Sequence, residues 1–219
     1  MTTAGEIAAR VSKTLFDEAH GRWAETEIIG YVSDAQREVA LLKPSAYTLN
    51  SSIQLEPGTT QSLPANGALL IDVLSSMGAD GLTPGQSVTQ IDRTVLESVR
   101  PNWRTVNGSM ATRHFIYDDR DPLHFEVYPP QPDPAGYLQI TYAAIPAVLV
   151  NAVDVIALAD IYVTPIYYLA LARCFAKTTG AQDFNKASAY QQLGVSLITG
   201  RKQSKQEIHP EQLQERVKR

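Results

Sequence analysis

The sequence predicts an α+β fold: an antiparallel bundle of about four helices, interrupted by an inserted antiparallel β-rich domain and followed by an extended C-terminal tail. Of the 13 glycines and 13 prolines, 17 lie between positions 57 and 146, where long helices are therefore excluded. On both sides, apolar residues recur with helical period. The predicted regions are a helical body at 1–50 and 151–200, the β-rich domain at 51–150 and the tail at 201–219.

Two helices are predicted before the β-rich domain. Thr3 followed by Glu6 has the spacing of a capping box, and an apolar stripe then continues as far as Gly21. The second helix is expected to begin after Trp23. It ends before Pro44, because the residue that precedes a proline disfavours helical backbone.

Inside the β-rich domain, apolar residues recur at every second position. Alternation with aromatic and β-branched residues predicts strands at 114–117, 124–128 and 139–142. The Asp-rich turn at 118–122 joins the first two into an antiparallel hairpin, with 136–145 expected to pair nearby. Shorter strands are predicted at 53–55 and 68–74.

Two further helices are predicted after the β-rich domain. Thr164 and Pro165 form a typical helix start, in which a hydroxyl cap precedes a proline whose missing N–H is not needed. Gly180 is the expected end of this helix. Asp183 is the expected cap of the next helix, which should end at Gly200.

Composition excludes several classes of protein. The net charge of −4 provides no overall positive field for nucleic acid. The single cysteine, Cys174, rules out an internal disulfide framework and is expected to be a buried, inert thiol. The N-terminus has no secretory signal pattern, and the apolar run at 148–163 is shorter than the ~20 residues that span a bilayer. A soluble intracellular product without membrane contact is expected.

The densest polar cluster is a candidate cation site in the predicted hairpin, composed of His114, Asp118, Asp119, Asp121 and His124. Carboxylate and imidazole groups are metal ligands, yet their spacing matches no calcium or zinc motif, and Asp is common in turns. No arrangement of nucleophile and base is present either. We therefore predict no metal, no cofactor and no enzymatic activity.

Two features indicate contacts with other proteins. Tyr162, Tyr167 and Tyr168 cluster around one predicted helix start, so we predict that they contribute to an inter-subunit contact; an ordinary half-buried set is the alternative. The tail carries six basic residues against three acidic ones, whereas 51–150 carries five basic residues against ten acidic ones. A tail that orders on a partner is predicted to use Lys202, Lys205, Ile208, Leu213, Arg216 and Val217.

Short runs along residues 20–200 carry a resemblance through their content and their order: WAETEII at 23–29, VSDAQRE at 32–38, LKP at 42–44, IQLEPGTTQSLP at 53–64, RPNW at 100–103, YD at 117–118, FEVYPP at 125–130, ITY at 140–142 and LADIY at 158–162. Together they resemble the adaptor (head-to-tail connector) proteins of short-tailed bacteriophages. No run is diagnostic alone. Their shared order carries the resemblance.

The resemblance implies a structural virion protein at the portal vertex, assembled in the bacterial host cytoplasm. It implies a homo-oligomeric ring of twelve copies below a dodecameric portal protein, joined to the tail nozzle and to tail fibres. The ring would connect capsid to tail and line the channel through which DNA leaves, without sequence-specific DNA binding. The tail at 201–219 would dock on the portal.

One alternative stays open at this point. A monomeric β-rich module for carbohydrate or metal could use Trp103, Tyr117, Tyr128 and the Asp-rich turn at 118–121, with the helices as scaffold.

Overall fold

The computed structural model describes residues 1–177 and 181–208. Within these ranges the chain forms five helices and two β-sheets, which confirms the predicted α+β class. Two compact units are present: a helical unit made of Met1–Ala46 with the chain from Pro146 onward, and a β unit made of Tyr47–Ile145.

The elements are numbered along the chain. The helices are α1 (Ala4–Thr14), α2 (Glu25–Leu42), α3 (Arg93–Val99), α4 (Val163–Ala176) and α5 (Ala181–Ile208). The strands are β1 (Thr48–Gln54), β2 (Gly58–Ser62), β3 (Gly67–Met77), β4 (Pro84–Ser87), β5 (Thr89–Gln90), β6 (His114–Tyr117), β7 (His124–Gln131) and β8 (Tyr137–Ala144).

The helical unit is built around contacts of α2 and α5 with α4, and of α1 with α2 and α4. Its apolar core includes the fully buried side chains Ile7, Val11, Ile28, Val32, Ile166, Leu169 and Leu171. The predicted capping box is confirmed at α1. The Thr3 hydroxyl oxygen accepts from the Glu6 N–H at 3.2 Å, and the Glu6 carboxylate accepts from the Thr3 N–H at 3.0 Å.

Several predicted helix boundaries are wrong. The first helix ends at Thr14 rather than near Gly21, and α4 begins before Thr164, directly after a 3-10 turn at Asp160–Tyr162 and without a side-chain cap. Because α5 begins at Ala181, Asp183 lies within its first turn instead of capping it. This helix also continues beyond Gly200 to Ile208. Gly180, the predicted end of α4, lies outside the described residues.

The β unit contains two four-stranded sheets. One has the order β1-β8-β3-β4 with antiparallel pairs, and the other has the order β2-β7-β6-β5, in which β5 and β6 run parallel. The predicted hairpin is confirmed, since β6 pairs antiparallel with β7 and His114 lies opposite Tyr128. The expected pairing of 136–145 near this hairpin is wrong, because β8 lies in the other sheet between β1 and β3.

Buried side chains of both sheets form the main core of the β unit. Leu138 and Ile140 on β8 and Phe125 and Val127 on β7 belong to one apolar cluster. A smaller cluster joins Trp103 to α3, β6 and β7 through Leu96, Ile116 and Tyr128. The register of β8 follows from this burial, since a slip of one residue would turn Leu138 and Ile140 away from the core.

Candidate functional site

The three tyrosines predicted at an inter-subunit contact lie at the start of α4. Tyr162 is only 7% exposed, and the Lys43 ammonium lies 5.4 Å from the centre of its ring. Tyr167 is half-buried; its hydroxyl lies 2.7 Å from the Thr14 hydroxyl, and the Arg10 guanidinium lies 4.8 Å from its ring centre. These contacts fix α1 and the end of α2 against α4.

Tyr168, which is also half-buried, belongs to an aromatic row between α4 and α5. Its ring stacks on Tyr190 with centroids 5.9 Å apart, and Phe175 stacks on Tyr190 at 5.6 Å. Tyr162 therefore has little area left for a neighbouring subunit, whereas Tyr167 and Tyr168 keep part of theirs. The role of the three residues at an inter-subunit contact stays a prediction.

Ion pairs connect the helices at their surface. Glu38 accepts from Arg173 and from the Gln191 amide, both at 2.7 Å. Glu27 accepts from Lys177 and from the Tyr31 hydroxyl, both at 2.8 Å. The hydrogen bond from Lys177 lowers the pKa of Glu27, whereas burial and then the Glu27 carboxylate raise the pKa of Tyr31 to about 12. These charges stabilise the packing of the helices.

The predicted inert character of Cys174 agrees with its surroundings. Its side chain is fully buried on α4, and burial raises the pKa of the thiol to about 12. Since the thiolate is the reactive form, this cysteine is a poor nucleophile at neutral pH.

Sequence reasoning missed a pair of buried polar side chains on α2. The Gln36 amide donates to the Ala147 carbonyl at 2.8 Å and accepts from the Ala157 N–H at 3.3 Å. One turn earlier, the Ser33 hydroxyl oxygen accepts from the Leu149 N–H at 3.0 Å. Both side chains are buried, and together they fasten residues 146–159 to α2. This segment is called the strap below.

The start of α1 also holds the strap. The Ala4 N–H donates to the Asp154 carbonyl at 2.8 Å, and the Gly5 N–H donates to the Ala152 carbonyl at 2.9 Å. A Cβ atom at Gly5 would lie only 2.9 Å from both the Cβ and the carbonyl oxygen of Ala152. The first N–H groups of α1, which have no partner within the helix, are thus satisfied by strap carbonyls.

The strap carries a row of apolar side chains that face solvent. Four valines of the strap are between 46% and 78% exposed: Val148, Val150, Val153 and Val155. Each of these side chains leaves apolar area in water, and burial of such area against another protein is favourable. The buried hydrogen bonds of Gln36 and Ser33 keep this row in a fixed conformation.

Two carboxylates of the candidate cation cluster contact basic side chains of the same turn. Asp118 pairs with Arg120 at 2.6 Å, which holds the pKa of Asp118 at about 2, and Asp121 lies 2.9 Å from His124. His114 instead contacts the Thr89 hydroxyl at 2.7 Å. In the part of the chain that the structure describes, no three potential ligands lie together as a metal site.

A cavity of about 210 Å³ lies beside this turn and includes Asp118, Asp121, His124 and Glu126 in its lining. Glu126 pairs with Arg93 at 2.8 Å and with Arg104 at 3.0 Å. The acidic side chains in the lining of this cavity therefore already contact basic ones.

The aromatic residues of the alternative binding module belong largely to the core. Trp103 is fully buried and Tyr128 is 8% exposed. The Tyr117 hydroxyl donates to the Pro122 carbonyl at 3.1 Å and accepts from the Leu70 N–H at 3.3 Å. Two of the three aromatic side chains are therefore unable to form an open platform for a sugar ring.

The predicted partner-binding residues of the tail fall in two places. Lys202, Lys205 and Ile208 lie on the last turns of α5, and Leu213, Arg216 and Val217 lie outside the described residues. Among the helices in the described ranges, none combines the length and hydropathy that a membrane crossing requires.

Comparison with known proteins gives one family. Residues 2–214 match the model of the family described as SU10 adaptor protein. No curated protein is significantly similar to the chain. The match covers the helical unit, the β unit and most of the tail.

Proposed function

Because the chain belongs to the SU10 adaptor protein family, and is thus a structural phage adaptor, we propose that it forms a ring below the portal. The ring connects the capsid to the tail and lines the exit channel for DNA. The family match across residues 2–214 carries this proposal, since it includes both units rather than one isolated motif.

The helical unit has properties that suit a subunit of a ring. A ring made from one kind of chain needs two different faces that complement each other, rather than one self-complementary patch. Apolar area is provided by the exposed valines of the strap, and aromatic area by the half-exposed Tyr167 and Tyr168. Burial of this area against a neighbouring subunit would stabilise the ring. Tyr162 would support this contact from beneath.

The tail is proposed to dock on the portal protein. Lys202, Lys205 and Ile208 extend α5, and Leu213 and Val217 would meet as an i, i+4 apolar pair beside Arg216 if the tail becomes helical on its partner. Opposite charge on the acidic region 51–150 and the basic tail would help to set the order of stacking.

The remaining partners follow from the same proposal. Twelve copies would match a dodecameric portal, with the tail nozzle and tail fibres bound below at the portal vertex of the virion. The net charge of −4 supports passage of DNA without sequence-specific binding, because tight binding through phosphates requires many basic groups on one face.

Light scattering tests this function directly. The purified chain is measured alone and after mixing with a purified portal ring, and we expect a monomer that becomes a large complex only in the mixture. A chain that stays monomeric with the portal would contradict the proposal. A melting shift with a carbohydrate or a divalent metal would then favour the β-rich binding module.

Two truncations test the role of the tail separately from that of the rest of the chain. Removal of 209–219 leaves α5 as the structure shows it, whereas removal of 202–219 also deletes its last turns. Both variants should stay folded by circular dichroism and monomeric by light scattering, and both should lose attachment to the portal. Unchanged attachment of the variant that lacks 202–219 would overturn the docking role of the tail.

A further inference from the structure

The β unit contains two asparagines that are each followed by glycine, in the pairs Asn66–Gly67 and Asn107–Gly108. Asparagine is chemically labile, and most of all before glycine, because no Cβ then shields the next peptide nitrogen. That nitrogen attacks the asparagine side chain and closes a cyclic imide. Both asparagines are exposed, so access to water does not distinguish the two pairs.

Hydrogen bonds and packing hold the pair Asn66–Gly67 in place. The Gly67 N–H donates to the Pro64 carbonyl at 2.7 Å. The Asn66 amide oxygen accepts from the Tyr142 hydroxyl at 3.2 Å. Gly67 is buried at the start of β3, and a Cβ there would lie 2.9 Å from the Leu63 side chain. Closure of the imide at this pair therefore requires local opening of the β unit.

The pair Asn107–Gly108 is not held in this way. Among the residues that the structure describes, none forms a hydrogen bond with the Asn107 side chain or with the Gly108 N–H. A Cβ at Gly108 would lie 3.1 Å from both the Pro130 carbonyl oxygen and the Pro132 nitrogen. This close approach favours glycine at 108, and the same glycine leaves its nitrogen unshielded.

We propose that Asn107 is a site of spontaneous deamidation in the folded protein and that the fold protects Asn66. The Gly108 nitrogen gives its proton to hydroxide and forms a bond to the Cγ atom of Asn107. The bond between Cγ and Nδ2 breaks, and Nδ2 leaves as ammonia after it takes a proton from water. Water then opens the imide on either side. The product is aspartate or isoaspartate, and each carries one new carboxylate.

The modification changes the charge and the backbone of this loop. The new carboxylate adds to the acidic region 51–150, and isoaspartate also lengthens the backbone between two fixed neighbours. Val106 packs against the cluster that contains Trp103. The Ser109 N–H donates to the Pro130 carbonyl at 2.9 Å. The longer backbone should therefore weaken the hydrogen bond of Ser109.

Mass spectrometry of the complete wild-type chain tests the proposal. The folded protein is kept in mildly alkaline buffer at physiological temperature, and samples are digested with trypsin at intervals. The peptide 105–113 has Asn107 as its sole asparagine, and fragment ions of the peptide 38–93 report on Asn66. Replacement of the amide by a carboxyl group raises the mass, and an isoaspartate methyltransferase labels the isoaspartate.

Asn107 should react about tenfold faster than Asn66 or more, because two hydrogen bonds must break before Asn66 can react. The same incubation in urea removes the fold, and both asparagines should then react at similar rates. Equal rates in the folded protein, an unmodified Asn107, or a difference of the same size in urea would overturn the proposal.

Two variants separate the chemistry from its protection. Asn107→Gln is the matched control, since its longer side chain closes a larger ring more slowly, and the peptide 105–113 should then stay unmodified. Tyr142→Phe removes the hydroxyl that binds Asn66 and should speed the reaction at Asn66 alone. Circular dichroism checks that both are folded. A folded Tyr142→Phe protein with an unchanged rate at Asn66 would contradict protection by this bond.

Hydrogen exchange tests the effect on the loop. Asn107→Asp introduces the charge without the longer backbone. Exchange of the Ser109 amide should therefore be faster in the aged wild-type protein than in fresh Asn107→Asp protein. Equal exchange in the two would contradict the weakened hydrogen bond.

Discussion

Replacement of Gln36 by leucine tests whether the strap depends on its buried hydrogen bonds. The substitution places an apolar side chain of similar size on α2 and leaves the Ala147 carbonyl and the Ala157 N–H without their partner. A buried backbone group that loses its partner costs about 1–3 kcal/mol. Both alanines are exposed, so water replaces part of these bonds, and a total loss of about 2–4 kcal/mol is expected.

Urea unfolding measures this loss, and hydrogen exchange shows where it arises. Gln36→Leu should accelerate amide exchange at Ala157, whereas Ser33→Ala should act mainly at Leu149, with a smaller loss of about 1–2 kcal/mol. Gln54→Leu is the control, since Gln54 is exposed on β1 and its replacement should change stability by less than about 0.5 kcal/mol. A Gln36→Leu protein as stable as this control would refute the reasoning.

Two further predictions concern glycines and pH. Gly30→Ala should stabilise α2 by about 0.5–1 kcal/mol because a Cβ there meets nothing within 4 Å. Gly194→Ala should instead destabilise the protein by up to about 2 kcal/mol, since its Cβ would lie 2.8 Å from the Leu169 side chain. Thermal unfolding compares the two variants. Equal shifts of their unfolding temperatures would contradict the packing argument. N–H donors of Thr83 and Leu82 lower the pKa of Asp80 to about 2. Its stabilising effect is therefore complete above its usual pKa of 3.8 and is lost as pH falls towards 2; an NMR titration with a midpoint near 4 would contradict this.

Local sequence patterns predict the helices and strands better than they predict which strands pair. The capping box at Thr3, the helix end before Pro44 and the hairpin of β6 with β7 follow from short-range chemistry, and the structure has all three. Alternation in β8 shows which side chains face the core but not which strands lie beside it. The sheet that contains β8 was therefore predicted wrongly.

Two helix ends were missed because tertiary or local contacts override spacing. Helical spacing continues after Thr14, yet the Asp17 carboxylate takes the N–H groups of the following loop. Gly200 was expected to end α5, but a glycine inside a helix costs only about 1 kcal/mol and the helix continues.

The surroundings of the three tyrosines could be predicted only in part. The grouping of Tyr162, Tyr167 and Tyr168 follows from their spacing, but their burial depends on partners in α1, α2 and α5 that are distant in sequence. Ser33 and Gln36 were missed because polar residues on a helix usually face water. Their position on the same stripe as Ile29 was the available signal.

Electron microscopy of the chain assembled on a purified portal ring tests the central claim most directly. We expect a closed ring, coaxial with the portal and composed of one copy of the chain per portal subunit. Isolated copies scattered on the portal surface, or a portal without added density, would contradict it.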